Sequence, residues 1–258
     1  MRFIIIILLL SSSFLSEAEN KKDNMESFVS DTIYSEKHRK IVVYKPDNFN
    51  EQVEYPVIIL TDGQYLNEYL PIIDSLIKKQ EIPELILIGV FSNGEEVTGK
   101  GYKNIAYRQF EYVKSYSDSS EHEDLKSLYY DTELIFENTI LNYLKRNSVK
   151  IESLNFYGYS NGAGFGITFS LRNPSYFDNV ICFSTAGYSR NAIDNKEKYP
   201  KYYISYGTEE FPPFQEESKE LVSYFKENNL NFELNTFNGG HKRDKWNQEL
   251  IKVLSKIF

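Results

Sequence analysis

The pentapeptide Gly158-Tyr159-Ser160-Asn161-Gly162 sets a serine between two glycines, after the apolar run "NFYG" and before the small-residue stretch "AGFG". A Gly-x-Ser-x-Gly string is weak on its own and gains meaning only where a strand turns sharply into a helix. There the glycines leave room for two chain segments that nearly touch, and the strained turn lifts the serine hydroxyl clear of its neighbours. Such a hydroxyl is a candidate nucleophile for acyl transfer, provided that a base takes its proton.

The chain has three histidines to serve as that base. His38 lies in a candidate hairpin turn and His122 in the acidic "SSEHEDL", both read as solvated loop residues. His241 follows Gly239-Gly240 in "FNGGHKRDKW", between the last candidate strand and a terminal helix, where the glycine pair lets its ring swing over the end of a sheet. A carboxylate must then hold the imidazole tautomer, and it is expected at the end of the strand between serine and histidine. "KYYISYGTEEF" offers Glu209 and Glu210; neighbouring side chains diverge, so one serves, with Glu210 favoured and Glu209 in reserve.

An oxyanion formed at the acyl carbon needs two backbone N–H donors. One is assigned to Asn161, directly after the serine. The other comes from "LTDGQYL", where Gly63 permits close approach and Gln64 or Tyr65 donates; Asp62-Gly63 is equally readable as an ordinary turn.

These residues need a rigid frame. Strands are expected at 27–34, 40–46, 55–61, 84–90, 153–158, 179–184, 201–207 and 231–237. The first two form a hairpin, while the central runs are continuously apolar, as strands buried on both faces of a parallel sheet must be. Amphipathic helices are expected at 130–147, with Leu134, Ile135, Ile140, Leu141 and Leu144 on one stripe, at 218–229 and at 245–258. This alternation predicts an α/β fold, a mostly parallel eight-stranded sheet with helices on both faces, in one domain over 19–258. Residues 92–127 are polar and fit neither pattern. A connection of that length is expected to shape the mouth of the pocket, with Tyr102, Tyr107, Tyr112 and Tyr116 beside Arg108 as a surface for an aromatic acyl group; a solvated excursion is the competing reading.

The stretches "YPVIILTDGQYL", "AYRQFEY", "FYGYSNGAGFG", "YISYGTEEF" and "GGHKRDKWNQEL", in that order, resemble the esterase family of α/β hydrolases that includes esterase D, the enterochelin-type siderophore esterases and the feruloyl esterases. The resemblance runs from about Lys40 to the C-terminus, and it departs from the family where the usual Gly-Gly after the nucleophile is Gly162-Ala163. It implies an α/β-hydrolase fold, an acid three residues beyond Gly207, which is Glu210, and a place for Arg108 on the acyl side of the pocket. The substrate-binding set is expected to be Arg108, Tyr65 and Tyr107, and the oxyanion hole Asn161 with Gln64.

The formal net charge of −8 argues against a sequence-independent nucleic-acid footprint, and no metal-ligand cluster or phosphate loop stands out. No metal or cofactor is expected, and the expected partner is a small-molecule ester. The single cysteine, Cys182, lies in "NVICFSTA" and reads as a buried thiol. Residues 1–18 carry Arg2, the apolar run from Phe3 to Leu10 and Ser16-Glu17-Ala18, the marks of a cleaved export signal, with no stable membrane insertion after its removal. The sum is an exported serine esterase; an acyltransferase with the same triad, or a non-catalytic carbohydrate- or siderophore-binding protein on the same frame, are the rivals.

Overall fold

The computed structural model describes residues 28–194 and 196–258; the signal expected over 1–18 lies outside the described residues. Eight strands, β1 (Phe28–Tyr34), β2 (Lys40–Pro46), β3 (Glu54–Thr61), β4 (Ile86–Val90), β5 (Lys150–Tyr159), β6 (Asn179–Phe183), β7 (Lys201–Gly207) and β8 (Phe232–Phe237), make one sheet in the order β1-β2-β4-β3-β5-β6-β7-β8. β2 runs antiparallel to both neighbours, closing the hairpin with β1 through the left-handed His38 (φ 58°), and all pairs from β4 to β8 are parallel.

Both faces of the sheet are covered, which is why β3 and β4 are apolar along almost their whole length. One face receives α1 (Leu66–Lys78) and α9 (Arg243–Ile257), which bury Leu70, Ile73, Leu250 and Leu254 against Ile58, Leu60 and Ile181. The other receives α7 (Asn161–Arg172), α8 (Pro212–Glu227) and a long helical run, where Phe136, Phe156, Phe165 and Phe169 interlock. Cys182 on β6 is fully buried beneath α7, its Sγ 3.6 Å from the Ala163 carbonyl oxygen, and burial pushes its thiol well above the ordinary range.

Three expectations are corrected. Helix α1 was not anticipated, because Pro71 interrupts its pattern. The helix expected at 130–147 is α5 (Leu128–Leu134), a π-helical turn (Ile135–Ile140) and α6 (Leu141–Arg146). The wider turn re-phases the apolar stripe, so Leu134 is 51% exposed while Ile135, Phe136 and Ile140 are buried. Residues 92–127, expected to be irregular, hold α2 (Tyr107–Tyr112), α3 (Lys114–Ser119) and α4 (Glu123–Lys126). They pack around their own small core of Val97, Phe110 and Leu125.

Candidate active site

Five parallel strands, β3, β4, β5, β7 and β8, deliver the candidate residues to the carboxyl end of the sheet, the end at which open α/β sheets hold ligands. Ser160 follows β5 directly and caps α7, with φ 55° and ψ −130°, a strained combination for a residue with a side chain. Its neighbours hold it there: its N–H donates to the Phe183 carbonyl (2.9 Å), and its carbonyl accepts from Gly164 (3.1 Å) and Ala186 (3.2 Å). The turn requires both flanking glycines. A Cβ on Gly158 would stand 2.8 Å from the Gly162 carbonyl group, and one on Gly162 would stand 2.3 Å from Thr61 Oγ1.

Glu210 lies three residues past the end of β7, with its side chain fully buried, and Oε2 is 3.4 Å from Nδ1 of His241. An ionised carboxylate only accepts, so Nδ1 carries the hydrogen of this contact. Burial alone raises the Glu210 pKa, but donors from His241, Ser184 and the Gly207 N–H outweigh it, and the carboxyl is held below its ordinary range. Glu209 is exposed, its N–H bonded to the Gly239 carbonyl (3.0 Å), so of the two acids Glu210 is the one in contact with the histidine. The imidazole is clamped by stacking on Phe214 (4.6 Å between centroids) and by the edge of Trp246 (4.8 Å), which itself stacks on Tyr159 (4.3 Å).

Ser160 and His241 open into one cavity of about 660 Å³, which Gln64, Tyr65, Arg108 and Trp246 also line. Of the two amides considered after β3, that of Tyr65 donates to the Asp62 carbonyl (3.0 Å). The Gln64 and Asn161 amides have no protein acceptor among the described residues. The Gln64 side chain is fixed at both ends by Ser92, through 2.7 and 3.0 Å bonds.

Arg108 lines the cavity, yet its charge is already engaged. Its Nε and Nη2 each donate to Asp62 at 2.7 Å, and its Nη1 reaches Asn161 Oδ1 at 3.3 Å. Desolvation would depress its pKa, and the buried Asp62 carboxylate more than reverses this. Asp62, read from sequence as a turn residue, is thus the buried anchor that ties the loop after β3 to α2, and Ser92 adds a third bond to it at 2.7 Å. The remaining expectation for this region is corrected: Tyr107 and Tyr102 do not line the cavity but pack on the small core of Phe110 and Leu125, and Tyr112 is buried with its hydroxyl accepting from the Asp62 N–H. Aromatic spacing gave no signal to separate packing from recognition here. Ser184 and Phe214 escaped sequence reasoning as well, because their partners lie 26 to 62 residues away; Trp246 stood in the quoted "GGHKRDKWNQEL", but nothing there showed its bond to Ser184.

No curated protein matches this sequence. Among solved structures, the chain is similar to a ferulic acid esterase from Anaeromyces mucronatus in complex with ferulic acid (TM-score 0.64, 16% identity, 89% of each chain covered). It is similar also to a siderophore hydrolase from Aspergillus nidulans (TM-score 0.64, 16% identity, 89% of this chain and 94% of that). A third likeness is to the enterobactin esterase of Shigella flexneri (TM-score 0.60, 16% identity, 89% of this chain and 58% of that). At such identities the likeness is one of fold, the α/β-hydrolase fold. The family link comes from the sequence: residues 32–257 match the Esterase family, described as Putative esterase, and the chain belongs to that family.

Proposed function

We propose that this protein is a serine esterase in which Ser160, His241 and Glu210 form the catalytic triad. The observation that carries the reading is the strained turn at Ser160, opening into the same cavity as a histidine whose Nδ1 faces a buried carboxylate. Ser160 Oγ attacks the acyl carbon while His241 Nε2 accepts its proton, then returns it to the departing alcohol. The amides of Gln64 and Asn161 receive the charge that develops on the carbonyl oxygen, a role for which an unspent N–H is needed. Water repeats the sequence on the acyl-enzyme. The 3.4 Å contact between His241 and Glu210 is long, as such contacts often are before substrate draws the site together.

For the acyl group, the likeness to a ferulic acid esterase and an enterobactin esterase points to phenolic and catecholic acids, and Tyr65, Tyr159 and Trp246 contribute aromatic atoms to the cavity lining. Since Asp62 already holds Arg108, this residue acts by fixing the oxyanion loop against Asn161 rather than by seizing an anionic substituent. The test is a fluorophosphonate probe. It labels Ser160 in the parent and labels nothing in Ser160→Ala; labelling that persists in that variant removes the nucleophile assignment. Export rests on the first 18 residues, and the N-terminal sequence of the secreted protein should begin after Ala18. An N-terminus still carrying Met1 would end that part of the reading.

A further inference from the structure

Behind the candidate triad lies a second polar residue that the reaction as written does not use. Ser184 follows β6, is fully buried, and holds φ at 50°, a left-handed conformation unusual for a residue with a side chain. Its N–H donates to the Ser205 carbonyl at 2.7 Å, which pins the backbone between β6 and β7. Its hydroxyl has two partners. Trp246 Nε1 donates to Ser184 Oγ at 2.8 Å, and Ser184 Oγ donates to Glu210 Oε1.

The direction of this chain follows from its ends. An indole nitrogen can only donate and an ionised carboxylate can only accept, so the hydroxyl between them has one arrangement that satisfies both. Oε1 also accepts from the Gly207 N–H at 3.1 Å, leaving Oε2 for His241. The two carboxylate oxygens therefore have separate duties, one structural and one facing the imidazole. His241 is the only titratable group bonded to the Glu210 carboxylate among the described residues; from α8, the neutral Gln215 amide binds the Glu210 backbone carbonyl at 2.8 Å.

We propose that Ser184, held by Trp246, is a positioning residue for the esterase reaction: it fixes the rotation of the Glu210 carboxylate and keeps Oε2 aimed at His241. The proposal rests on the triad reading above. Substituting Ser184 removes one donor from Oε1, so the carboxylate turns away from His241 in a fraction of the molecules, which lose turnover, and where Oε2 still faces the ring it is more basic and grips the imidazolium form of His241 more tightly. A residue that merely fills space would lack that electrostatic consequence.

The experiment compares kcat, KM and the pH profile of kcat/KM for p-nitrophenyl acetate in the parent, Ser184→Ala and Ser184→Gly. Glycine accepts the φ of 50° without strain, so it supplies a folded variant lacking the hydroxyl if alanine compromises folding. The expected result in both variants is a kcat about tenfold lower, the scale of one hydrogen bond to a charged group, with KM nearly unchanged. The acid limb of the profile should also move upward. An unmoved or downward-moved limb in the folded variants, with or without a fall in kcat, would overturn the proposal and leave Ser184 as packing. Probe labelling of Ser160 is scored in parallel: if it survives Ser160→Ala the triad reading fails, and if it vanishes there while the Ser184 variants show no upward shift, only the role of Ser184 fails.

Discussion

Glu209 and Glu210 are chemically identical neighbours, and the chain direction after β7 turns one to solvent and buries the other against His241. Glu210→Gln should therefore lower kcat by a factor on the order of 10⁴, as loss of a triad carboxylate does, whereas Glu209→Gln should stay within about threefold of the parent. Steady-state kinetics on one neutral ester decides it, and a reversed order would refute the pairing. The same carboxylate couples to stability. Its folded pKa lies below the ordinary 4.5, so the stability it contributes is fully present above pH 4.5 and is lost as the pH falls through the folded value. Denaturant melts of the parent between pH 6 and 3 should show this acid-side loss, and Glu210→Gln should show less of it. Ser160, Asn161, His241 and Glu210 were legible because each sits at a short, fixed offset from glycines or a strand end. Asp62 was not, since its partner Arg108 is 46 residues away and only the folded chain brings the two together.

At the scale of elements, the central strands β3, β4, β6 and β7 were located because buried parallel strands are written as uninterrupted apolar runs, while the more exposed β1 and β8 showed as short segments of β-branched and aromatic residues. Helices were read less well, and for identifiable causes. Pro71 conceals α1, and short helices such as α3 are too brief to show a 3.6-residue repeat. The π-helical turn at Ile135–Ile140 defeats any constant period by inserting an extra residue into the helical path. Its re-phasing makes a contrast that chemical denaturation can measure. Phe136→Ala, within an aromatic cluster that includes Phe156, Phe165 and Phe169, should cost about 3–5 kcal/mol. Leu134→Gln should change stability by no more than about 0.5 kcal/mol, although an unbroken helical repeat assigns Leu134 to the core. Equal losses at the two positions would contradict the π-helical register.

Taken as a whole, the molecule assembles its candidate site from the connections after β3, β4, β5, β7 and β8, so no fragment of the sheet contains the site alone. One further consequence comes from Cys182, the chain's single thiol, sealed under the Ala163 carbonyl at the start of α7. Ellman's reagent cannot reach it while β6 and α7 remain packed, so the colour it releases acts as a clock for opening of the turn at Ser160. In native buffer the reaction should take hours and should accelerate steeply through the unfolding transition, tracking the equilibrium population of open chains where reclosing is fast. Stopped assays of residual esterase activity should fall on the same curve as thiol release. Release of colour from fully active protein would mean that the sheet breathes beneath an intact site. Coincident curves would make the centre of the sheet and the candidate active site a single cooperative unit, readable without any engineered label.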